Sequence, residues 1–411
     1  MQDRDLYAKL LGITSPWGVE DVELDMKARE VVVRVAVVED EALKCPQCFR
    51  PCGRHDTRER RWRHLDTMQM KTILAAKVPR VKCDEHGVHQ VRVPWAEPGS
   101  RFTALFEALV IDWLKEASVS GVARLLRLSW DEVNGVMERA VRRGLARRKL
   151  EVVARIGVDE TSFAKGHEYV TVVNDLDEGR VLYVADGRGK DALGGFYRQF
   201  SEAQLEQVCV VAMDMHAPYI IATHEAVPRA ETKIAFDKFH VAKHLGDAVD
   251  RVRRAETKEL RGEGDDRLVG TRYHWLMNPN EMSDGRWEAF ESLRTSTLKT
   301  ARAWALKEEA MALWSPKLGS WLRDAWASWY AWAIRSRLEP MKKAARTIKD
   351  HLAGILVAIR KKVTNAKAEG TNATIQWVKY KARGFRNRDR FRTAIYFHCG
   401  GLDLYPSGAT P

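Results

Sequence analysis

The period of the apolar positions changes several times along the chain, and the changes divide it. Val31-Val32-Val33-Arg34-Val35-Ala36-Val37-Val38 is a β-branched run with one charge, which predicts a strand in a first segment, residues 1–40. Residues 41–98 keep no clean period; cysteine, arginine and histidine crowd the stretch, and Pro94 and Pro98-Gly99 predict a loop at its end. Residues 101–148 read as helices. Val119, Val122, Ala123 and Leu126 share one helical face, and Val133, Val136, Met137, Ala140 and Val141 share another. Between them Ser129-Trp130-Asp131-Glu132 has the spacing of a capping box, in which serine accepts from a backbone N–H and glutamate reaches back. Two helices joined by a tight turn fit either a helix-turn-helix, with residues 130–142 as the recognition helix, or an ordinary helical hairpin.

From Arg155 the texture becomes short apolar strands separated by turns such as Asp177-Glu178-Gly179 and Asp186-Gly187, continuing to about His240. Strands are expected at Ile156–Asp159, Tyr169–Asn174, Arg180–Ala185, Val210–Asp214 and Ile234–Asp237, with a helical segment from about Lys190 to Glu206. Strand, strand, strand, helix, strand is the order of a ribonuclease-H-like sheet. The stretch 241–362 then has helical periodicity and eight of the chain's fourteen tryptophans: Trp275, Trp287, Trp304, Trp314, Trp321, Trp326, Trp329 and Trp332. The expected fold class is therefore α/β. Its catalytic domain (151–240 and 363–400) is interrupted by an all-helical insertion (241–362), preceded by a zinc-binding module (41–98) and a helix-turn-helix (99–150), and followed by a loosely held tail (401–411).

The chemistry suggested by this layout lies in its acids. Three apolar strands end in a carboxylate, at Asp159, Asp214 and Asp237, where a rigid strand can aim it into a cleft. Further on, Asn365, Glu369, Asn372 and Gln376 recur at spacings of four, three and four, which places them on one helix face; Ala366, Ala373, Trp377 and Tyr380 are expected to form the packing face. Two strand-end aspartates and a helical glutamate are the hard oxygen donors that two Mg²⁺ (or Mn²⁺) ions need for phosphodiester cleavage. In that scheme Asp159 bridges the ions, and Asp214 and Glu369 each complete one coordination shell.

Cys45-Pro46-Gln47-Cys48 and Cys83-Asp84-Glu85-His86 supply two ligand pairs separated by 34 residues, the layout of a closed structural Zn²⁺ site. Cys52 and His89 are alternatives for one ligand. The intervening loop carries Arg54, Arg58, Arg60, Arg61, Arg63 and His64 around Trp62, and arginines interleaved with an aromatic suit a phosphate backbone. Arg58, Arg60, Arg61, Trp62 and Arg63 are candidate DNA contacts there, as are Trp130, Asn134 and Arg139 on the recognition helix.

Charge agrees with such a partner. Lys and Arg number 68 against 56 Asp and Glu, a formal charge of +12, which favours a polyanion or an anionic membrane surface. No apolar stretch approaches the ~18 residues that span a bilayer, and Met1–Ile13 lacks the layout of a signal peptide, so a cytosolic protein is expected. Six cysteines in 411 residues are too few for a disulfide scaffold.

On Cys45-Pro46-Gln47-Cys48, Trp62-Arg63-His64-Leu65-Asp66, Gly157-Val158-Asp159-Glu160-Thr161, Asp214-Met215, Asp237-Lys238-Phe239-His240, Thr364 to Asn372 and Ala382-Arg383-Gly384-Phe385, the chain resembles the bacterial insertion-sequence transposases of the L-three family, whose catalytic residues are Asp, Asp and Glu. The resemblance covers nearly the whole chain. It implies recognition of the element's terminal inverted repeats, cleavage of the DNA ends and joining of 3′-hydroxyls to target DNA, in a homodimer or larger synaptic assembly in the bacterial cytoplasm at the nucleoid. It also implies that Asp237 and His240 form a supporting motif, leaving Asp214 to the metals. A zinc and helix-turn-helix regulator, or a ribonuclease-H-like nuclease without strand transfer, would share parts of this set.

Overall fold

Val31, Val33 and Val35 are nearly solvent-free because they share the face of their strand that packs into a core with Trp17, Trp62 and Trp95. In the computed structural model, which describes residues 3–37, 43–164, 166, 168–363 and 366–407, the chain starts with helix α1 (Asp3–Leu10) and strands β1 (Trp17–Asp25) and β2 (Glu30–Val37). Next come β3 (Arg54–Thr67), β4 (Met70–Cys83) and β5 (Gly87–Gln90). Together they make a five-stranded sheet of order β1-β2-β4-β3, with β5 also paired to β4. Strand β2 runs antiparallel to β1 and parallel to β4. The arginine-rich stretch expected as a loop is thus one arm of a hairpin whose strands are 14 residues each. It was hard to read because β3 alternates poorly; the ladder to β4, whose Leu74, Ala76, Val78 and Val81 are buried, holds it in place. Trp17 and Trp62 both meet Trp95 edge-on, with ring centroids 4.9 and 5.5 Å apart, inside this sheet's core.

Helices α2 (Ala104–Glu116), α3 (Val119–Leu126) and α4 (Trp130–Arg147) follow. The Ser129–Glu132 capping box is formed in full, and Arg127 in the left-handed region ends α3. Val122, Ala123, Val133, Val136, Met137, Ala140 and Val141 are buried, as a two-faced helical pair requires. Glu107, only 1% exposed, accepts from Ser100 Oγ (2.8 Å), Arg139 Nε (2.9 Å) and Arg143 Nη2 (3.0 Å), so its buried charge is matched by two guanidiniums. The tail expected to be loose is docked through Ser407: Arg147 bonds Asp403 and the Tyr405 carbonyl, and Leu404 is buried. These elements, Met1–Lys149 with Tyr380–Arg383 and Tyr396–Pro411, form one of two compact units.

The other unit is Leu150–Lys379 with Gly384–Ile395. It begins with an antiparallel meander, β6 (Arg155–Ala164), β7 (Glu168–Asp175) and β8 (Arg180–Asp186). Helices α5 (Lys190–Tyr197) and α6 (Glu202–Leu205) occupy the expected helical segment, broken by Arg198–Ser201. Strand β9 (Val210–Met213), helix α7 (Ala217–Ala226) and strand β10 (Ile234–Phe236) complete a five-stranded sheet of order β10-β9-β6-β7-β8, in which β9 and β10 run parallel to β6.

A helical stretch follows: α8 (Lys238–Gly262), α9 (Arg272–Leu276), α10 (Asp284–Arg294), α11 (Lys299–Ala312), α12 (Leu322–Arg335), α13 (Glu339–Asp350) and α14 (Leu352–Arg360). Buried Glu256 of α8 accepts from the backbone N–H groups of Lys299 and Thr300, both at 2.7 Å, and so caps α11. Helix α14 packs on β10 so closely that a Cβ at Gly354 would stand 2.5 Å from the Phe236 ring. The last helices are α15 (Ala366–Lys381) and α16 (Arg388–Cys399). The buried face of α15 is Ala368, Thr371, Ile375 and Val378. That corrects the expected packing face, since Ala373, Trp377 and Tyr380 are exposed.

Candidate catalytic and metal centres

The pairing register of the second sheet gathers three of its aspartates. Gly157 pairs with Ala212, and Met213 with Phe236, in parallel ladders. Carried on past those pairs, the same registers set Asp159, Asp214 and Asp237 side by side. Asp214 and Asp237 lie just past the carboxyl ends of β9 and β10, but Asp159 lies inside β6, which runs on to Ala164 instead of ending at the acid as expected, because its ladder with β7 continues. Asp159 accepts from the Glu160 N–H at 2.7 Å and from Asn372 Nδ2 of α15 at 2.5 Å. Burial raises its pKa above the ordinary carboxylate value, opposed by those two hydrogen bonds and by the charge of His240; the nearby Asp214 raises it further. Asp214 Oδ1 accepts from the His216 N–H at 3.0 Å, which fixes its rotamer.

Asp237 also serves the fold, because its carboxylate accepts from the Phe239 N–H at 3.2 Å and caps α8. His240 lies one turn into that helix and is electrostatically coupled to Asp159. Glu369 is exposed on α15, one helical turn before Asn372. Gln376 donates to Thr161 Oγ1 at 2.8 Å and Lys379 to the Ser162 carbonyl at 2.6 Å, so α15 is laid along β6 by its polar stripe. Asn365 lies outside the described residues. Sequence reasoning placed Asn372 in this stripe without a role; the four-three-four spacing was the available signal. Its Oδ1 is buried and has no partner among the described residues. A buried orphan oxygen beside paired carboxylates fits a hard divalent cation.

The second centre lies in the first unit. A knuckle at Cys45–Phe49 is closed by the Cys45 N–H to Arg50 O bond and the left-handed Phe49, and the facing turn joins β4 to β5. Ligand atoms of Cys45, Cys48, Cys83 and His86 all lie within 4.8 Å of one another. Cys48 Sγ stands 3.7 Å from Cys83 Sγ, and His86 Nδ1 stands 3.5 and 3.9 Å from the sulfurs of Cys83 and Cys45. A tetrahedral Zn²⁺ with its ordinary bond lengths makes edges of about 3.8 Å between sulfurs and about 3.5 Å between sulfur and nitrogen. The set fits. The Cys48 backbone N–H holds the Cys45 thiol below its ordinary pKa, as a ligand thiolate requires. Of the alternatives, Cys52 points to the Arg50 carbonyl and burial raises its thiol pKa, while His89 Nε2 is turned to the His86 carbonyl at 2.6 Å.

The candidate DNA contacts separate into two groups. Trp62 is in the core, and Arg63 is buried over the Phe106 ring and paired with Asp66, so neither is free to meet a phosphate. Both lie where β3 passes under its neighbours, which arginine-rich composition concealed. Asn134, 7% exposed, bonds Glu138, and Arg139 bonds Glu107; both sit on the packed side of α4. Arg58 is exposed, as is Arg61, which shares a 2.9 Å bond with Glu30. Arg60 is half-buried against Gln90, and Trp130 is half-buried.

Comparison with known proteins agrees with this geometry in each part of the chain. A family model described as a transposase matches residues 156–395. A helix-turn-helix domain of transposase family ISL3 matches residues 91–141, and the zinc-finger of transposase IS204/IS1001/IS1096/IS1165 matches residues 41–86. The transposase for insertion sequence element IS1001 of Bordetella parapertussis is 28% identical, over 95% of this chain and 97% of its own. The transposase for insertion sequence element IS1557 of Mycobacterium tuberculosis (strain ATCC 25618 / H37Rv) is 29% identical, over 94% of this chain and 93% of its own.

Proposed function

The chain belongs to transposase family ISL3, and from that premise we propose that it binds the terminal inverted repeats of its own element, cleaves the DNA ends and joins the 3′-hydroxyls to target DNA, with Asp159, Asp214 and Glu369 as catalytic acids. The observation that carries this reading is the Asn372 to Asp159 hydrogen bond, which brings the helix of Glu369 to the aspartates of the sheet across 213 residues. The sheet, a three-stranded antiparallel meander continued by two parallel strands, supports a ribonuclease-H-like fold, and the α8–α14 stretch between β10 and α15 reads as its helical insertion.

Asp159, Asp214 and Glu369 would hold two Mg²⁺ (or Mn²⁺) ions, which when bound supply activation of the attacking oxygen and stabilisation of the leaving one. The chain's own residues prepare that site. Asn372 and the Glu160 N–H restrain Asp159, His216 N–H restrains Asp214, and Asp237 anchors the helix that carries His240 towards Asp159. Zinc at Cys45, Cys48, Cys83 and His86 would stabilise the N-terminal sheet. The α3–α4 pair and the exposed Arg58 and Arg61 would meet duplex DNA, and two ends processed together call for a dimer or larger assembly acting on cytoplasmic DNA.

The test incubates the protein with a labelled duplex of terminal DNA, target plasmid and Mg²⁺. Joined product is expected from the wild type and absent from Asp159→Asn, Asp214→Asn and Glu369→Gln, all of which should still bind the duplex. Cleavage without joining would identify a nuclease, and binding without cleavage a regulator; either result overturns the proposal.

A further inference from the structure

A cavity of about 510 Å³ opens beside the catalytic acids in the second unit, lined by Asp237, Lys238 and Phe239 at the start of α8, Trp314 after α11, small aliphatic side chains of α8 and α14, Lys362 and Glu369. Its size is that of an ordinary small-ligand pocket. Two features set it apart from a packing defect. Phe239, a large apolar ring, is 60% exposed although it sits in the first turn of a helix capped by Asp237. Trp314 is half-buried and meets Trp326 edge-on at 6.4 Å, so its ring is braced from behind while lining the cavity.

We propose that this cavity receives a nucleobase swung out of the duplex next to the phosphate being cut. The inference rests on the assignment of Asp159, Asp214 and Glu369 as the cleavage site. A base presents flat apolar faces, which Phe239 and Trp314 can cover, and stacking on a protein ring offsets part of the cost of extrusion. The exposed cations Lys238 and Lys362 on the same cavity suit the phosphates that flank such a nucleotide. Glu369 lines this cavity and also belongs to the proposed catalytic set, so the two sites share a wall. The remaining tryptophans of the helical stretch do not line this cavity. Trp275, Trp304, Trp326 and Trp329 are core residues, and Trp287 lies under the Arg294 guanidinium.

The test uses full-length protein and a duplex of terminal DNA carrying 2-aminopurine at the nucleotide beside the cut. Binding in Ca²⁺ should raise its fluorescence several-fold as the base unstacks. Phe239→Ala and Trp314→Ala should each lose most of that rise and slow cleavage in Mg²⁺ by roughly 10- to 100-fold. An abasic nucleotide at that position should restore part of the rate, and Trp314→Phe should keep most of it. Should Trp314→Ala melt early, Phe239→Ala, whose ring is exposed, decides the matter. Wild-type cleavage without a fluorescence rise, or both Ala variants cutting like wild type, would overturn the pocket and leave the groove to another chain. A rise on binding with no cleavage in Mg²⁺ would instead remove the catalytic assignment while keeping the pocket.

Discussion

The two ligand clusters are built in opposite ways. The Cys45, Cys48, Cys83 and His86 set comes from two tight turns at the ends of one hairpin system, its atoms already spaced as the edges of one tetrahedron. The acidic set comes from two neighbouring strands and a helix more than 150 residues further along the chain; two of its carboxylates are restrained by hydrogen bonds and the third, Glu369, is exposed. The first arrangement leaves no open position, which suits an ion that holds structure. The second keeps one ligand on an element that has to dock, which suits ions that must admit a substrate.

Metal removal should separate the two clusters most strongly. Structural zinc in small modules is worth roughly 10–16 kcal/mol of apparent folding energy at neutral pH. Stripping zinc, or Cys45→Ser, should therefore unfold the sheet of β1–β5, seen as loss of amide protection there, and native protein should contain one zinc per chain. Withholding Mg²⁺ should abolish cleavage and leave every protected amide as it was. An intact N-terminal sheet in zinc-free protein would erase the contrast.

The three aspartates of the second sheet sharpen it further. A metal ligand needs its charge, whereas a helix cap needs only an acceptor oxygen, and asparagine caps as well as aspartate. Asp214→Asn should lower turnover at least about 10³-fold, several kcal/mol of transition-state stabilisation. Asp237→Asn should retain most of it. The reverse pattern would make Asp237 the second catalytic acid.

How much of this was legible in the sequence follows from how local each signal is. The zinc ligands have two residues between them within each pair, and the capping box spans four residues, so both could be read directly. Strand ends at Asp214 and Asp237 showed because apolar runs stop there; β6 instead runs on past Asp159 to Ala164, since its polar residues Glu160, Thr161 and Ser162 are held by the ladder to β7. Strand β3 did not, since its Arg-rich sequence is held by a partner strand rather than by alternation. The packed face of α15 was misplaced because Trp377 and Tyr380 look like core, yet Ala368 and Thr371 lie closer to the sheet and leave the rings outside. Asn134 and Arg139 looked like recognition residues until Glu107, distant in sequence, supplied a buried partner for Arg139.

Acid should act on the two units with opposite signs at two residues. His64 is buried against Thr103 Oγ1 at 2.9 Å, and burial, then the Arg63 charge, lowers its pKa to about 4. Its neutral form is the folded form, so the unfolded chain binds the extra proton and stability is lost as pH falls from about 6.5 towards 4. Between pH 7 and pH 5 this costs roughly 2 kcal/mol. His398, in the same unit and likewise lowered to about 4 by burial, adds to the loss. Asp159, raised by burial, works the other way: its protonated form is favoured in the fold, so acid relieves it. With zinc in excess, amide exchange at pH 7 and 5 should show the N-terminal sheet weakening, and His64→Gln should flatten that dependence. An unchanged slope in His64→Gln would mean that the imidazole is not the titrating group.

The smallest expected effect concerns Asn372, which touches Asp159 without being one of the acids. Its amide donates to Asp159 Oδ2, so the lone pair left for a metal is the one that the fold selects. A residue that orients a ligand in this way ordinarily changes metal affinity or activity by about 10- to 100-fold when removed. Asn372→Ala should therefore raise the Mg²⁺ concentration needed for half-maximal cleavage more than it lowers the rate at saturating Mg²⁺. Asn372→Asp should do worse at low Mg²⁺, because a second carboxylate there repels Asp159 and cannot donate. If Asn372 only fastened α15 to β6, then Gln376→Ala, which removes the 2.8 Å bond to Thr161 one turn on, would produce the same Mg²⁺ dependence. A shift confined to Asn372 variants would place the residue in the metal site, and a shared shift would make it a strut between helix and sheet.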